Sequence, residues 1–155
     1  MNVLIDTNIL ARLEDSLDPQ HATAMTAIQR LKQDGHDCQI VPQILYEFWV
    51  VATRPVENNG LGLDAVKVED ALRQWMSFFR LKRDERGVFQ NWVQLVTTYQ
   101  VRGKTAHDAR LVAAMQRHGL THLLTFNVGD FSRFPGITAV SPVDIAAGKL
   151  PAGLV

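Results

Sequence analysis

Short apolar runs recur along the chain, and longer stretches between them carry an apolar residue at every third or fourth position. The run at residues 2–6 is apolar on both sides, as is typical of a strand buried within a parallel sheet, and residues 38–41 predict a second strand. Further strands are predicted at residues 78–81, 122–126 and 137–140.

The stretches between these runs have helical spacing. Asp18 and Pro19 predict an N-cap and first turn, followed by the apolar face Ala22, Met25, Ile28 and Leu31. Four more helices are predicted. The first runs from Pro42 to Arg54, the second begins after Asp64 as its N-cap, the third covers about residues 85–99, and the fourth covers residues 105–119. Residues 55–62 are rich in Asn, Gly and Pro and predict a loop.

Alternating strands and helices predict an α/β fold with a mainly parallel sheet, covered on both faces and joined by right-handed crossovers. We expect one domain over residues 1–155, with a core of about residues 1–145 and a short C-terminal tail. In such folds the ligand site lies at the carboxyl ends of the strands, and Asp6 stands at one of them.

The composition is that of a globular protein, with 46% hydrophobic and 21% charged residues among 155. One cysteine, Cys38, excludes an intramolecular disulfide and fits a reducing cytoplasm. The N-terminus does not resemble a signal peptide. The longest apolar stretch, residues 44–52, is shorter than the roughly 20 residues that a bilayer requires, so no membrane association is expected.

The net charge is zero, but the charges are unevenly distributed. Residues 1–70 hold five Lys and Arg against eleven Asp and Glu, whereas residues 71–120 hold nine against three. The basic segment is either a solvated face or a rim that contacts phosphates. Its cationic residues include Arg80, Lys82, Arg83, Arg86, Arg102 and Lys104.

Asp6 follows the apolar run Val3, Leu4 and Ile5 and leaves the sheet where a ligand can reach it. The structural alternative is an N-cap for the helix that follows. Thr7 and Asn8 can supply that cap themselves, which would free Asp6 to bind a metal ion.

Glu47 is the only charged residue between Pro42 and Arg54, and its helical neighbours are mostly apolar. A lone carboxylate is costly there. It is either part of a ligand site or one half of a buried ion pair with an arginine such as Arg54 or Arg110.

Asp108 lies on the inward face of its predicted helix, since Leu111, Val112 and Met115 follow at helical spacing. It is also three residues after Thr105, as in a capping box, and the two roles are compatible.

Asn127 and Asp130 follow the strand at residues 122–126, again at a carboxyl end, although Asp130 is equally suited to closing a turn. The histidines have no metal-binding spacing: His21, His36, His107, His118 and His122.

These motifs, taken in order, resemble a PIN-domain ribonuclease, and within that family the bacterial VapC-type toxins. The resemblance covers residues 1 to about 145. It rests on the strand followed by Asp6, Thr7 and Asn8, on the acid in Tyr46-Glu47-Phe48, on Asp108-Ala109 leading a helix, and on Thr125-Phe126-Asn127 with Asp130-Phe131.

The resemblance implies a three-layer α/β/α sandwich whose acidic pocket holds Mg2+, or Mn2+, and cleaves RNA. Asp6 and Asp108 would be metal ligands, Glu47 and Asp130 would complete the catalytic set, and Thr7, Asn8 and Asn127 would orient the ligands. Asn127 stands where the family usually has an acid, which puts a second metal in doubt. Arg80, Lys82, Arg83, Arg102 and Lys104 would hold the RNA.

The same resemblance implies a homodimer and a small cognate antitoxin, whose tail would fill a groove formed by the helices around residues 9–13 and 42–54. Two alternatives stay open. One is a PIN-like domain that binds RNA or protein without cutting. The other is a phosphatase of the haloacid dehalogenase type, although Asn8 occupies the position of its second Asp.

Overall fold

A computed structural model describes residues 1–154 and contains a five-stranded sheet in the order β3-β2-β1-β4-β5. Every neighbouring pair of strands is parallel. The strands are β1 (Asn2–Ile5), β2 (Asp37–Ile40), β3 (Arg80–Leu81), β4 (His122–Leu124) and β5 (Thr138–Val140).

Helices cover both faces of this sheet, which confirms the predicted α/β/α sandwich. Val3, Leu4 and Ile5 of the central strand are completely buried, as layers on both sides require. The helices are α1 (Thr7–Glu14), α2 (His21–Gln33), α3 (Pro42–Thr53), α4 (Ala65–Phe78), α5 (Arg86–Thr98), α6 (Thr105–His118) and α7 (Pro142–Ala146), with single 3-10 turns at Val56–Asn58 and Val128–Phe131.

Backbone hydrogen bonds hold together the carboxyl ends of β1, β4 and β5. The Asp6 amide donates to the Leu124 carbonyl at 3.0 Å, and the Thr125 amide donates to the Val140 carbonyl at 3.0 Å. Residues that leave these strands are therefore held side by side at one edge of the sheet. This edge is where sequence reasoning placed the ligand site.

The start of α2 differs from the prediction. The helix begins at His21 and not at Pro19, because the Asp18 carboxylate accepts from the Gln20 amide and closes a turn ahead of the helix. Its buried face is Ala24, Ala27, Ile28 and Leu31, whereas Met25 is 40% exposed. Ile28 and Leu31 are thus buried as predicted, whereas Ala24 and Ala27 take the places predicted for Ala22 and Met25 on the buried face.

Cys38 is a free thiol in the core, and burial raises its pKa to about 11, so it stays in the unreactive thiol form. Across residues 1–154, none of the helices has both the length and the apolar composition needed to cross a bilayer.

Candidate functional site

Asp6 caps α1 and faces a cavity at the carboxyl edge of the sheet. Its Oδ1 accepts from the Thr7 amide at 2.7 Å, and its Oδ2 accepts from the Thr125 hydroxyl at 2.7 Å and from the Asn8 amide nitrogen at 3.1 Å. The expectation that Thr7 and Asn8 would supply the helix cap is wrong: Asp6 is the cap. Thr7 and Asn8 instead donate to Asp6.

These three hydrogen bonds leave Asp6 with capacity for a cation. A carboxylate offers about four acceptor sites, so roughly one remains, on Oδ1. Burial raises the pKa of Asp6 to about 6, although the bonds from Thr125 and Thr7 oppose the shift. Repulsion from Glu47 and Asp108 adds to it. Asp6 is therefore a buried acid whose charge is under-compensated by the protein.

Glu47 extends from α3 towards Asp6 and is held at both oxygens. Its Oε2 accepts from the Thr7 hydroxyl at 2.8 Å, and its Oε1 accepts from Gln43 at 2.9 Å. Neither Arg54 nor Arg110 forms a salt bridge with it within residues 1–154. Arg110 donates to the Gln43 side chain and pairs with Asp84. It is therefore linked to Glu47 only indirectly, through the side-chain amide of Gln43.

Asp108 enters the same cavity from the first turn of α6. The capping-box alternative is wrong: Lys104 is the N-cap, and no side chain caps this helix. Burial raises the pKa of Asp108 to about 6, and Asp130 and Glu47 add repulsion, while His107 partly opposes it. Across the part of the chain that is described, the Asp108 carboxylate has no hydrogen bond or salt bridge.

Asn127 and Asp130 approach from the loop after β4. The Asn127 amide donates to the Thr125 hydroxyl at 3.0 Å, and the Asp130 amide donates to the Asn127 carbonyl at 3.1 Å. The backbone of Asp130 thus closes a turn, as one alternative predicted, whereas its side chain is exposed and lines the cavity.

One cavity of about 310 Å³ collects all four predicted carboxylates. In residues 1–154 none of the four takes part in a salt bridge. The lining is mostly polar: Asp6, Thr7, Asn8, Ala11, Arg12, Glu47, Val51, Asn59, Asp108, Asn127, Asp130 and Phe131.

The arrangement of these acids suits an ion such as Mg2+, which does not require a complete set of protein ligands. No three His, Cys, Asp or Glu side chains of residues 1–154 stand close enough to form a complete metal cage. Mg2+ does not need one, because it keeps several waters and binds through one or two carboxylates together with substrate phosphates. The donor set, four carboxylates with three asparagine amides, is oxygen-rich and fits this ion.

The predicted basic residues lie outside the cavity. Arg80 pairs with Asp37 at 3.1 Å, and Lys82 is fixed beside β2 through its amide. Arg83, Arg102 and Lys104 are exposed. Arg102 and Lys104 precede α6 and so stand near Asp108 along the chain.

Sequence reasoning missed four polar residues of this site. Thr125 and Gln43 are buried and donate to Asp6 and Glu47, respectively. Arg12 and Asn59 line the cavity itself. Gln43 is one helical turn before Glu47 and Arg12 is one turn after Asn8, so helical spacing could have found these two. Asn59 reaches the site only through the path of the 55–62 loop.

A model of the PIN domain family matches residues 3–137. None of the curated proteins compared with the chain matches it. Among solved structures, the fold is similar to VapBC2 of Rickettsia felis bound to a promoter DNA fragment, with a TM-score of 0.69 and 14% identity over 91% of this chain and 98% of that chain.

Two further structures are similar. A toxin-antitoxin complex from Klebsiella pneumoniae has a TM-score of 0.62 and 26% identity over 90% of this chain and 97% of that chain. VapC20 of Mycobacterium tuberculosis, described as a sarcin-ricin loop cleaving toxin, has a TM-score of 0.58 and 17% identity over 78% of this chain and 86% of that chain.

Proposed function

Because the chain belongs to the PIN-domain family, we propose that it is a Mg2+-dependent endoribonuclease and the toxin of a toxin-antitoxin pair. The observation that carries the proposal is the convergence of Asp6, Glu47, Asp108 and Asp130 on one cavity without a cationic partner among the described residues. The likeness to a toxin-antitoxin complex and to an RNA-cleaving toxin supports it.

Asp6 and Asp108 would hold the ion, Mg2+ or alternatively Mn2+, because each has unused acceptor capacity and a raised pKa that a bound cation would relieve. When bound, the ion lowers the pKa of a water molecule and neutralises charge on the scissile phosphate. A second ion is not part of the proposal, since Asn127 supplies an amide where another carboxylate would stand.

The remaining groups orient the reaction. Thr7 connects Asp6 to Glu47, through its amide and its hydroxyl, and so fixes the relative position of the two acids. Glu47 keeps about two acceptor sites free and would accept a proton from the attacking water. Asp130, which is exposed at the cavity mouth, would complete the carboxylate set.

The proposed partner is a small antitoxin that blocks this cavity with a basic side chain. The expected contact helices differ in how much apolar surface they offer. Residues 9–13 are largely buried, whereas α3 exposes Tyr46 at 63%, Trp49 at 37% and Val50 at 56%. We therefore place the proposed contact mainly on α3. A homodimer and a cytoplasmic location are further parts of the proposal.

Membership of the PIN family argues against the phosphatase alternative. Asn8 is an amide that donates to Asp6 and Thr125, where that chemistry requires a second carboxylate. The non-cleaving binder is the competing function that an assay must separate from the nuclease.

The test is incubation of the purified protein with end-labelled RNA in Mg2+, Mn2+ or EDTA. We expect metal-dependent fragments that vanish in Asp6→Asn and Asp108→Asn proteins. Asp70→Asn, an exposed acid of α4 outside the cavity, should cleave like the wild type. RNA that is bound but left intact in every metal would indicate the binding domain instead.

A further inference from the structure

A second cavity adjoins the first and shares two of its acids. It measures about 370 Å³ and is lined by Thr105, Asp108, Gly129, Asp130, Ser132 and Arg133. Asp108 and Asp130 line both cavities, so the two adjoin at these side chains, and we refer to them together as the acidic trough. Each cavity also contains one arginine: Arg12 lines the first and Arg133 the second.

Arg12 is anchored by only one edge of its guanidinium group. Its Nε donates to Gln20 at 2.9 Å and lies 3.4 Å from an oxygen of Asp18. Neither of its terminal nitrogens has a hydrogen bond within residues 1–154, and it forms no salt bridge with the trough acids. The anchored edge orients the side chain, and the two terminal nitrogens can bind an external anion in a bidentate manner.

Arg133 is exposed, and the described residues offer it neither a hydrogen bond nor a salt bridge. Its backbone is nevertheless fixed, because the neighbouring Ser132 hydroxyl and amide both donate to the Gly129 carbonyl, at 2.9 and 3.3 Å. The base of the side chain is therefore held at the trough while its charge remains available.

Asn59 adds a neutral polar group beside Arg12. It is held in the left-handed region, at φ 62°, by a loop whose amides bond back to α3: Leu61 donates to Val51 at 3.0 Å and Gly62 to Arg54 at 2.9 Å. Asparagine tolerates this conformation better than most non-glycine residues, and here it ends the 3-10 turn at Val56–Asn58, with its amide donating to the Val56 carbonyl. Its side-chain NH2 can donate to a phosphate oxygen or a ribose hydroxyl, and its side-chain oxygen can accept from a ribose hydroxyl.

We infer that Arg12 and Arg133 bind the RNA phosphates on the two sides of the bond to be cut, so that a single strand lies along the acidic trough. The inference rests on the proposed function. Four carboxylates repel a polyanion, and arginines that are not neutralised by those acids are needed to hold it. We take single-stranded or looped RNA as the substrate class, because unpaired segments are the form in which proteins read RNA bases and in which one backbone can enter a surface trough.

The experiment measures binding of a fluorescein-labelled single-stranded RNA by anisotropy between 50 and 300 mM NaCl, with Ca2+ replacing Mg2+ and a gel verifying that the RNA stays intact. We expect Arg12→Gln and Arg133→Gln each to weaken binding about tenfold and to reduce the slope of log K against log salt by about 0.7, the value for one phosphate of a single strand. In Mg2+, KM should rise about tenfold while kcat changes less than twofold.

Three controls separate phosphate binding from a structural effect. Asp18→Asn removes the charged partner of Arg12 but retains an acceptor for the Gln20 amide, so it should bind RNA like the wild type. Arg12→Lys keeps the charge and should recover part of the affinity. Arg73→Gln removes an exposed arginine of α4 and should leave the salt slope unchanged.

The inference is overturned if both glutamine variants bind RNA with the wild-type slope, if Asp18→Asn reproduces the Arg12→Gln loss, or if the wild type binds no RNA. Its failure differs from that of the proposed function. Arginine-dependent binding without cleavage in any metal would remove the nuclease and leave the trough as a binding site. Metal-dependent cleavage that is unchanged in both arginine variants would support the nuclease and remove the inferred phosphate-binding role of the arginines.

Discussion

The Thr125 hydroxyl donates a hydrogen bond of 2.7 Å to the Asp6 carboxylate, although 119 positions separate the two residues in the sequence. Thr125 follows β4 and Asp6 follows β1, and these strands are neighbours in the sheet. The bond thus exists only because the parallel sheet places two carboxyl ends side by side. It also holds a buried acid in position beside Glu47 and Asp108.

Asp6→Asn should abolish cleavage without destabilising the protein. Asparagine retains an oxygen for the Thr7 amide and removes a charge that burial and the nearby acids disfavour. Its NH2 group takes the place of the Oδ2 that accepts from Thr125 and Asn8, a loss that we expect the removal of the charge to offset. We expect a melting temperature at pH 7 equal to or above that of the wild type, and activity lower by more than about 100-fold, since loss of an orienting partner alone costs 10 to 100-fold. Differential scanning calorimetry and RNA cleavage measure the two effects. A variant that melts lower would show that the lost bonds from Thr125 and Asn8 outweigh the removal of the buried charge.

Thr7→Val should leave the cap of α1 intact but release Glu47, because the Thr7 amide is retained and its hydroxyl is lost. We expect a loss of about 1 kcal/mol in unfolding free energy and a fall of about 10 to 100-fold in kcat. Thr53→Val is the matched control, since the Thr53 hydroxyl donates to a backbone carbonyl at the far end of α3. Unchanged kcat in Thr7→Val would mean that Glu47 is not required in this position.

Stability should depend on pH through Asp6 and Asp108. Both have a pKa of about 6 in the folded protein against 3.8 for the unfolded chain, so the folded state binds more protons in this interval. The contribution of these groups to stability is complete below about pH 4 and is lost as the pH rises through 6. Chemical denaturation at a series of pH values should show this decline in the wild type and a weaker one in Asp6→Asn. The same pH dependence of stability in the wild type and in Asp6→Asn would contradict the raised pKa of Asp6.

Mg2+ should reverse that decline, because binding requires ionised carboxylates. We expect Mg2+ to raise the melting temperature at pH 8 and to have little effect at pH 5, where both acids are mostly protonated. Thermal shift measurements with and without EDTA test this. A Mg2+ effect of the same size at both pH values would place the ion away from Asp6 and Asp108.

Gly60→Ala should disrupt the 55–62 loop. A Cβ at this position would lie 2.0 Å from the Arg54 carbonyl oxygen, which is backbone and cannot move aside. We expect a loss of more than about 2 kcal/mol in stability, in the range caused by overpacking. Gly129→Ala, where a Cβ meets nothing within 4 Å, is the control. Equal stability of the two variants would mean that the loop is free to shift.

Much of the fold was accessible from the sequence because its strands are short and apolar on both sides and its helices carry clear apolar faces. The positions of Asp6 and Asp108 followed from the same periodicity. The start of α2 was not accessible, since it depends on whether Asp18 caps a helix or closes a turn, and both use the same side chain.

The functions of individual polar residues were harder to predict. Gln43 and Arg12 are one helical turn from Glu47 and Asn8, so helical spacing could have found them. Thr125, in contrast, belongs to the site through a contact across 119 positions, and Asn59 through the path of one loop. Local patterns carry no information about such contacts. The role of Arg80, Lys82, Arg83, Arg102 and Lys104 in RNA binding rests on the charge density of their segment and on the family resemblance, and it stays a prediction.

The most direct test of the metal site is the anomalous diffraction of crystals soaked in Mn2+ at pH 8. The account predicts a peak in the cavity with oxygen atoms of Asp6 and Asp108 among its ligands, and no such peak in Asp108→Asn crystals. An ion bound elsewhere, or a cavity that stays free of Mn2+ at millimolar concentration while the four carboxylates are ionised, would contradict it.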